Sequence, residues 1–323
     1  MRIMRIVVAL GGNALLPRGA HPDAATQVTR LAEAGPALAR LATEHQVVIV
    51  HGNGPQVGLL ALESQNDPAL SRPYPLSDLV AETQGLIGSW IQSALEQGGL
   101  TKDVVVLVSR TLVDANDPAF TKPTKFVGLP YDEKTAHHLA TTLDWAVAQD
   151  GSAWRRVVPS PAPVAIPATA LAGHLLDQGN TIILAGGGGI PFTLHDGRPD
   201  FAECIVDKDA VASIIAWKLE ADLLLVLTDV DGIMTGFETP AEEVLRSSTP
   251  TELAALSLPA GSMRPKADAV ASFVTASGKR AAIGSLDDIE KIVAGQSGTQ
   301  ISADSLLTSM ATGGRHTVSA ANS

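Results

Sequence analysis

Short aliphatic runs recur along the chain with helical patterns between them, and this alternation limits the possible folds more than any other feature. The runs are rich in Val, Ile and Leu and cover 3–10, 47–50, 104–108, 181–185, 223–227 and 281–283. Such runs are typical of parallel strands buried on both faces. The helical patterns lie at 24–44, 81–97, 210–220, 250–256, 265–275 and 286–293. Alternating strands and helices predict a doubly wound α/β fold.

The composition limits which binding partners and which cellular compartment are expected. Hydrophobic residues make up 45% of the 323 residues and aromatic residues only 4%, so the predicted core is aliphatic. A net charge of −11 argues against a nucleic-acid partner. Cys204 is the sole cysteine, so no disulfide forms within the chain and a reduced cytoplasm is the simpler expectation. Gly11 ends the first apolar run too early for a signal peptide or a membrane span, and no membrane partner is expected.

Two segments differ from the alternating pattern. Residues 114–167 are rich in proline and lack a long strand pattern, which favours an inserted, protruding subdomain. The alternative is a long connection with one helix near 131–148. Residues 304–323 are small and polar, and we interpret them as a frayed tail after a single domain at 1–303. Elsewhere Thr249, Pro250 and Glu252 predict a helix that begins with a capping box.

Three of the aliphatic strands run directly into glycine-rich turns. The turns contain Gly11, Gly12 and Asn13; Gly52, Asn53 and Gly54; and Gly186 to Gly189, which includes Gly187 and Gly188. Ligands of an open α/β sheet bind at the carboxyl ends of its strands. Glycines there let backbone N–H groups approach an anion closely. Any one turn is explained by tight geometry alone, but three at one sheet edge favour an anion site.

Several common classes of nucleotide-binding and hydrolytic protein are disfavoured because their sequence motifs are absent. The glycine turns do not match the G-x-G-x-x-G spacing, and no G-x-x-x-x-G-K-[ST] sequence occurs. Dinucleotide-binding and P-loop interpretations therefore lose support. The sequence also lacks H-E-x-x-H, paired C-x-x-C and a nucleophile elbow, so no metal-ligand set is predicted.

Three lysines are candidates for binding a phosphoryl group. Lys208 lies between Asp207 and Asp209 at the start of a predicted helix, where either aspartate could be the N-cap. A cation at a helix N-terminus opposes the helix dipole, and a bound anion would reverse that penalty. Lys266 follows Pro265, which we place as the first helical residue. Lys125 lies in the proline-rich segment and could reach into the crevice if that segment folds over it, although taken alone it is an ordinary surface lysine. Glycine loops, lysines and Mg²⁺ are sufficient for phosphoryl transfer.

The combined motifs resemble the carbamate kinases of the amino-acid kinase superfamily. They cover roughly residues 4 to 301 in order, which makes the resemblance far more specific than one short motif. The matching segments are 9–15, 51–58, 117–120, 123–125, 154–161, 186–191, 207–209 and 261–266.

The resemblance implies a three-layer αβα sandwich with a mainly parallel open sheet, a small protruding subdomain at about 114–167 and a nucleotide-binding part at about 181–303. It also implies a homodimer whose substrates are carbamoyl phosphate or carbamate and ADP or ATP with Mg²⁺. Lys208 and Lys266 would stabilise the transferring charge, Asp209 would orient the lysines, and Lys125 would close from the subdomain. The residues that would hold the carbamate or the phosphoryl group are Gly11, Gly12, Asn13, Gly52 and Asn53. Those at the nucleotide site are Thr228, Asp229, Met234 and Met263.

Two alternatives stay open at this point. One is a related kinase that phosphorylates another small carboxylate or carbamate, which a panel of acceptors would distinguish. The other is a non-catalytic nucleotide or metabolite sensor, which measurable phosphorylation of ADP would exclude. Carbamate is already an anion at neutral pH, so the chemistry needs no dedicated general base. His51 is accordingly expected to be a hydrogen-bonded structural residue.

Overall fold

A computed structural model describes residues 2–16, 20–236, 243–259 and 261–303, without the side chains of residues 13 and 14. The predicted tail at 304–323 lies outside the described residues. Within these ranges no helix is both long and apolar enough to cross a membrane.

The strands and helices alternate along the chain. The strands are Arg5–Leu10 (β1), Gln46–His51 (β2), Val104–Leu107 (β3), Arg110–Val113 (β4), Lys125–Tyr131 (β5), Val147–Asp150 (β6), Ala153–Val158 (β7), Pro163–Ala165 (β8), Thr181–Leu184 (β9), Ile190–His195 (β10), Arg198–Phe201 (β11), Leu223–Thr228 (β12), Met234–Thr235 (β13), Glu243–Val244 (β14), Ser247–Ser248 (β15), Arg280–Ser285 (β16) and Thr299–Ile301 (β17). The α-helices are Gly12–Leu15 (α1), Ala24–Glu44 (α2), Gly54–Asn66 (α3), Leu76–Gln97 (α4), Glu133–Leu143 (α5), Thr169–Asp177 (α6), Lys208–Lys218 (α7), Pro250–Ala255 (α8), Met263–Ser277 (α9) and Ile289–Val293 (α10). Short 3₁₀ helices cover Pro118–Thr121, Gly186–Gly188 and Leu286–Asp288.

All six predicted aliphatic runs form strands of one large sheet. Its order is β15-β17-β16-β12-β1-β2-β9-β3. The central pairings are parallel, and the pairing of β16 with β17 is antiparallel. The prediction of a mainly parallel open sheet is therefore confirmed.

Helices cover both faces of this sheet. On β1, Val7 and Ala9 face a core that includes α6, α7 and α9, whereas Ile6, Val8 and Leu10 face a core that includes α2, α4 and α10. Strand side chains alternate between faces, so a continuous aliphatic run buries residues in both cores. The result is the three-layer αβα sandwich that the resemblance implied.

The proline-rich segment contains a sheet of its own that the sequence pattern did not reveal. Strands β5, β7 and β6 pair antiparallel in that order, and α5 packs beside them. The division into one domain and a protruding subdomain stays a prediction. Below, "the subdomain sheet" means Lys125–Tyr131, Val147–Asp150 and Ala153–Val158.

The subdomain sheet meets the main body at α3. A Cβ added at Gly58 in α3 would lie 2.1 Å from Cα of Gly128 in β5. Gly128 itself has φ of +73°, which favours glycine. Glycine at position 58 therefore allows the two backbones to approach this closely, and glycine at position 128 allows the left-handed conformation of β5 there.

Most predicted helices are confirmed, with differences at their ends. Helix α2 has the predicted bounds, and Thr249 and Glu252 form the predicted capping box of α8. Helix α4 begins five residues earlier than predicted because Leu76, Leu79 and Val80 are already buried. Pro265 was wrongly placed as the first helical residue: Ser262 is the N-cap of α9, so Pro265 is its third residue.

Candidate active site

The three glycine turns lie side by side at the carboxyl edge of the main sheet. They follow β1, β2 and β9, which are adjacent parallel strands. The Gly52 amide donates to the carbonyl of Leu10 over 2.9 Å, and the Gly11 amide donates to the carbonyl of Leu227 over 2.8 Å. The three turns therefore lie on neighbouring strand ends, and the Gly11 and Gly52 amides fix two of them to the sheet.

The turns contact each other through specific side chains. A Cβ at Gly52 would lie 3.4 Å from Cδ and Cε of Lys208, and 3.1 Å from the amide nitrogen of Gly12. A Cβ at Gly187 would lie 2.2 Å from Nδ2 of Asn53. That amide group also donates to the Thr83 hydroxyl over 2.9 Å. Glycine at these positions therefore leaves room for the Lys208 stem and the Asn53 side chain.

The other residues of the three glycine turns are held by local hydrogen bonds and by their backbone conformation. Gly54 begins α3, and Asn53 is its N-cap. The carbonyl of Gly188 accepts a 2.7 Å hydrogen bond from the Thr111 hydroxyl. The turn after β9 starts at Ala185, whose φ of 52° is left-handed and costs a residue with a Cβ roughly 1–2 kcal/mol. Asn13 follows Gly12 in α1, and its side chain is outside the described part of the structure.

Helix α7 carries Lys208 and Asp209 into the crevice. Asp207 is its N-cap, and its Oδ1 accepts from the amides of Asp209 over 2.9 Å and Ala210 over 3.2 Å. Lys208 is therefore the first helical residue, at the positive end of the helix dipole. Lys208 and Asp209 are both buried, and the Lys208 ammonium donates to Oδ1 of Asp209. A buried cation at a helix N-terminus costs free energy unless carboxylates or a bound anion compensate it.

Lys266 approaches the same carboxylate from helix α9. Its Nζ lies 3.3 Å from Oδ2 of Asp209, so Asp209 bridges two lysines that are 58 residues apart in the sequence. Burial opposes ionisation of Asp209, but Lys208 and Lys266 hold its pKa below the usual value. Burial lowers the pKa of Lys208, and Asp209 offsets part of that effect. Burial also disfavours the charged form of Lys266, but the Asp209 and Asp207 carboxylates outweigh it and raise its pKa.

Lys125 completes the cluster from the subdomain sheet. It begins β5, and its ammonium donates to Oδ2 of Asp207, whose Oδ1 caps α7. Burial opposes ionisation of Asp207, yet Lys125 and Lys208 hold its pKa far below the usual range. The structure differs from the interpretation of Lys125 as an ordinary surface lysine and agrees with the alternative, in which the proline-rich segment brings it to the crevice. Only the fold brings residues 125 and 207 together.

The cluster has the cations that a phosphoryl group requires. Lys125, Lys208 and Lys266 converge on Asp207 and Asp209, the carboxylate of Asp229 also acts on Lys266, and the Lys208 stem lies beside Gly52. In a crevice that excludes water, such fixed charges interact far more strongly with an anion than they would in bulk solvent.

His51 lies next to the cluster but is unsuited to acid or base catalysis. Its ring is fully buried against Gly186, and its Nδ1 lies 3.0 Å from the carbonyl oxygen of Gly52. Burial lowers the pKa of His51 to about 4, against the small opposing effect of that carbonyl. The ring is neutral at physiological pH, which fits the predicted structural role.

The predicted nucleotide residues lie on the adjoining elements. Thr228 ends β12, beside Gly11, and its hydroxyl donates to Oδ1 of Asp229 over 3.1 Å. Met263 is the first residue of α9, the helix that carries Lys266. Met234 lies in the separate β13–β14 ribbon. Thr228, Asp229 and Met263 thus adjoin the lysine cluster, whereas Met234 is placed in a different sheet.

Several known proteins are similar to this chain in both sequence and fold. A sequence model described as "Amino acid kinase family" matches residues 4–285. The carbamate kinase of Rhizobium meliloti is 44% identical over 306 residues, which cover 93% of each chain. That of Pyrococcus furiosus is 39% identical and covers 92% of this chain and 98% of its own. A solved structure of carbamate kinase from Giardia lamblia bound to AMP-PNP has a TM-score of 0.83 at 34% identity, covering 94% of this chain and 99% of its own.

These matches span nearly the whole chain, including every element of the lysine cluster. The chain therefore belongs to the amino acid kinase family, whose members have this three-layer fold. Within that family it belongs with the carbamate kinases.

Proposed function

We propose that this chain is a carbamate kinase, which transfers a phosphoryl group reversibly between carbamoyl phosphate and ADP. The observation that carries the proposal is the convergence of Lys125, Lys208 and Lys266 on two aspartates beside three glycine turns. The full-length similarity to carbamate kinases supports the same substrate pair.

The proposed reaction needs alignment and charge stabilisation more than acid or base catalysis. A terminal phosphate oxygen of ADP attacks the phosphorus of carbamoyl phosphate, and the bond from phosphorus to the carbamate oxygen breaks. The electron pair of that bond leaves with carbamate, which is stable as an anion. Lys208 and Lys266 stabilise the oxygens of the transferring group, with amides of the glycine turns. Neutral, buried His51 takes no part.

The site residues retain their predicted roles in this proposal. Gly11, Gly12, Asn13 and Gly52 to Gly54, together with Gly187 and Gly188, surround carbamoyl phosphate. Asp209 orients Lys208 and Lys266. Thr228, Asp229, Met234 and Met263 contact the nucleotide.

Magnesium is part of the proposal through the nucleotide. Among the residues that the structure describes, no three His, Cys, Asp or Glu side chains form a metal cluster, and Asp207 and Asp209 are paired with lysines. Kinases bind Mg²⁺ largely through substrate phosphates and water with few carboxylates, so the proposal assigns the ion to the nucleotide phosphates. The bound ion would neutralise charge on the nucleotide phosphates.

We further propose that the chain forms a cytoplasmic homodimer in which the two copies contact each other along β3. This strand ends the main sheet, and its four aliphatic residues are only partly buried. Val108, which follows it, is 58% exposed, and Leu86 on the adjacent α4 is exposed as well. A second copy would cover this apolar edge, which otherwise could pair non-specifically with strands of other molecules. Val108→Glu should give monomers in analytical ultracentrifugation, whereas Val28→Glu, at an exposed position of α2, should not. A monomeric wild type would contradict the proposal.

A coupled assay tests the function. Purified protein with carbamoyl phosphate, ADP and Mg²⁺ should form ATP, measured with luciferase. In the reverse direction, carbamate should be phosphorylated in preference to acetate, glutamate and other small carboxylates. Absence of ATP above the uncatalysed background would refute the proposal, and a different preferred acceptor would assign the chain to another kinase of the family.

A further inference from the structure

The contact between Lys125 and Asp207 joins the subdomain sheet to the lysine cluster. Lys125 belongs to β5, and Asp207 caps α7, which begins with Lys208. The two residues are 82 positions apart, so the contact depends entirely on how the subdomain sheet sits over the crevice.

The two oxygens of Asp207 have separate partners. Oδ1 accepts from the amides of Asp209 and Ala210, and Oδ2 accepts from the ammonium of Lys125. Helix capping uses only one oxygen, and an asparagine or serine would cap equally well. The charged second oxygen is therefore not explained by the helix, and its partner is the one lysine that comes from the subdomain sheet.

Lys125 has few other restraints. Its side chain is 30% exposed, compared with 9% for Lys208 and 15% for Lys266. A long lysine side chain with this exposure loses considerable rotamer entropy when it is fixed. The carboxylate of Asp207 supplies the compensating interaction, and it is itself held rigidly by two backbone amides.

We propose that Asp207 is a positioning residue: it holds Lys125 over the glycine turns and so closes the subdomain sheet onto the reacting group. One carboxylate sets the position of two lysines, Lys208 through the helix start and Lys125 through the ion pair. This role rests on the proposed phosphoryl transfer.

Asp207→Asn separates this role from helix capping. The amide oxygen still caps α7, while the charge that holds Lys125 is removed. We expect turnover to fall about 10- to 100-fold, since misplacing a catalytic group by about 1 Å costs up to about 10²-fold. The KM for carbamoyl phosphate should stay constant or fall, because removal of a negative charge favours anion binding. Asp132→Asn is the matched control, because Asp132 caps α5 by accepting from the Thr135 amide over 2.9 Å.

A second measurement does not depend on activity. Limited acetylation followed by mass spectrometry should show Lys125 labelled at least threefold more in Asp207→Asn than in the wild type, relative to exposed Lys122. Asp207→Ser, which also keeps a cap, replaces Asn if that variant folds poorly. Lys125→Met with Asp207→Asn should turn over no more slowly than Lys125→Met alone.

Three results would overturn the proposal: unchanged Lys125 labelling, unchanged turnover whatever the KM, or faster turnover. Faster turnover would mean that Asp207 holds Lys125 away from the substrate. A wild type that makes no ATP would refute the proposed function, and the labelling result would still report whether Asp207 restrains Lys125.

Discussion

Replacing Lys208 by methionine removes the most deeply buried positive charge of the cluster and keeps the approximate shape of the side chain. The methionine side chain can still pack over Gly52, where the Lys208 stem lies. The loss is therefore electrostatic. At about 4 Å and an effective dielectric constant near 20, two unit charges attract by about 4 kcal/mol. Loss of one preorganised donor to a transition state typically costs about 2.7–4 kcal/mol. Both values predict that turnover falls about 10²- to 10³-fold.

Steady-state kinetics of ATP formation measures this effect, with Lys122→Met as the exposed control. The KM for ADP should change little, because the lost charge acts on the transferring group. Asp209 keeps Lys266 at 3.3 Å, so the variant should still fold, which thermal unfolding checks. Lys208→Arg should also be slow, because a planar guanidinium cannot occupy the position of the ammonium. A folded Lys208→Met variant that keeps more than about a third of wild-type turnover would refute the assignment.

Three further predictions concern other parts of the fold. Gly58→Ala should lower turnover and stability, because its Cβ would lie 2.1 Å from Cα of Gly128 and displace the strand that carries Lys125. Gly85→Ala is the control, because a Cβ at Gly85 would have no neighbour within 4 Å, and it should lower neither. Equal turnover of the two variants would contradict this. Folding lowers the pKa of His51 from 6.5 to about 4, so between these pH values the unfolded chain binds a proton that the folded chain does not. The free energy of unfolding should therefore decrease as the pH falls from 6.5 to 4, by about 2 kcal/mol at pH 5. Denaturant titrations of the wild type and His51→Asn check this, and the same pH slope in both would contradict it. Burial, with smaller effects of two acidic neighbours, raises the pKa of Cys204 to about 12, so this thiol should react with Ellman's reagent only after unfolding; rapid reaction of the native protein would be inconsistent with the structure.

The main sheet was predictable because its strands are buried on both faces. Each gives a continuous aliphatic run, and β1, β2 and β9 end in glycine turns whose adjacency follows from parallel pairing. Helix α3 was not predicted, because Gly54, Pro55 and Gly58 indicate a turn when taken alone. Burial of Val57 and Ala61 against neighbouring elements compensates for those poor helix formers.

The subdomain sheet was missed for a related reason. Strands β5 and β7 are only partly buried, and Pro130 lies within β5, so neither has a clear hydrophobic period. Lys208 and Asp209 were recognisable as local features of a helix start. The contact of Lys125 with Asp207 has no local signal, since it depends on the close approach of Gly58 and Gly128.

The phosphoryl group of carbamoyl phosphate should be transferred to ADP, and an isotope label follows that group. Carbamoyl [³²P]phosphate is mixed with ADP, Mg²⁺ and the wild-type protein, and the labelled products are separated by chromatography. We predict that label appears in the γ-phosphate of ATP as fast as carbamoyl phosphate is consumed, and that Lys208→Met slows both equally. Label released as inorganic phosphate, with none in ATP, would contradict it.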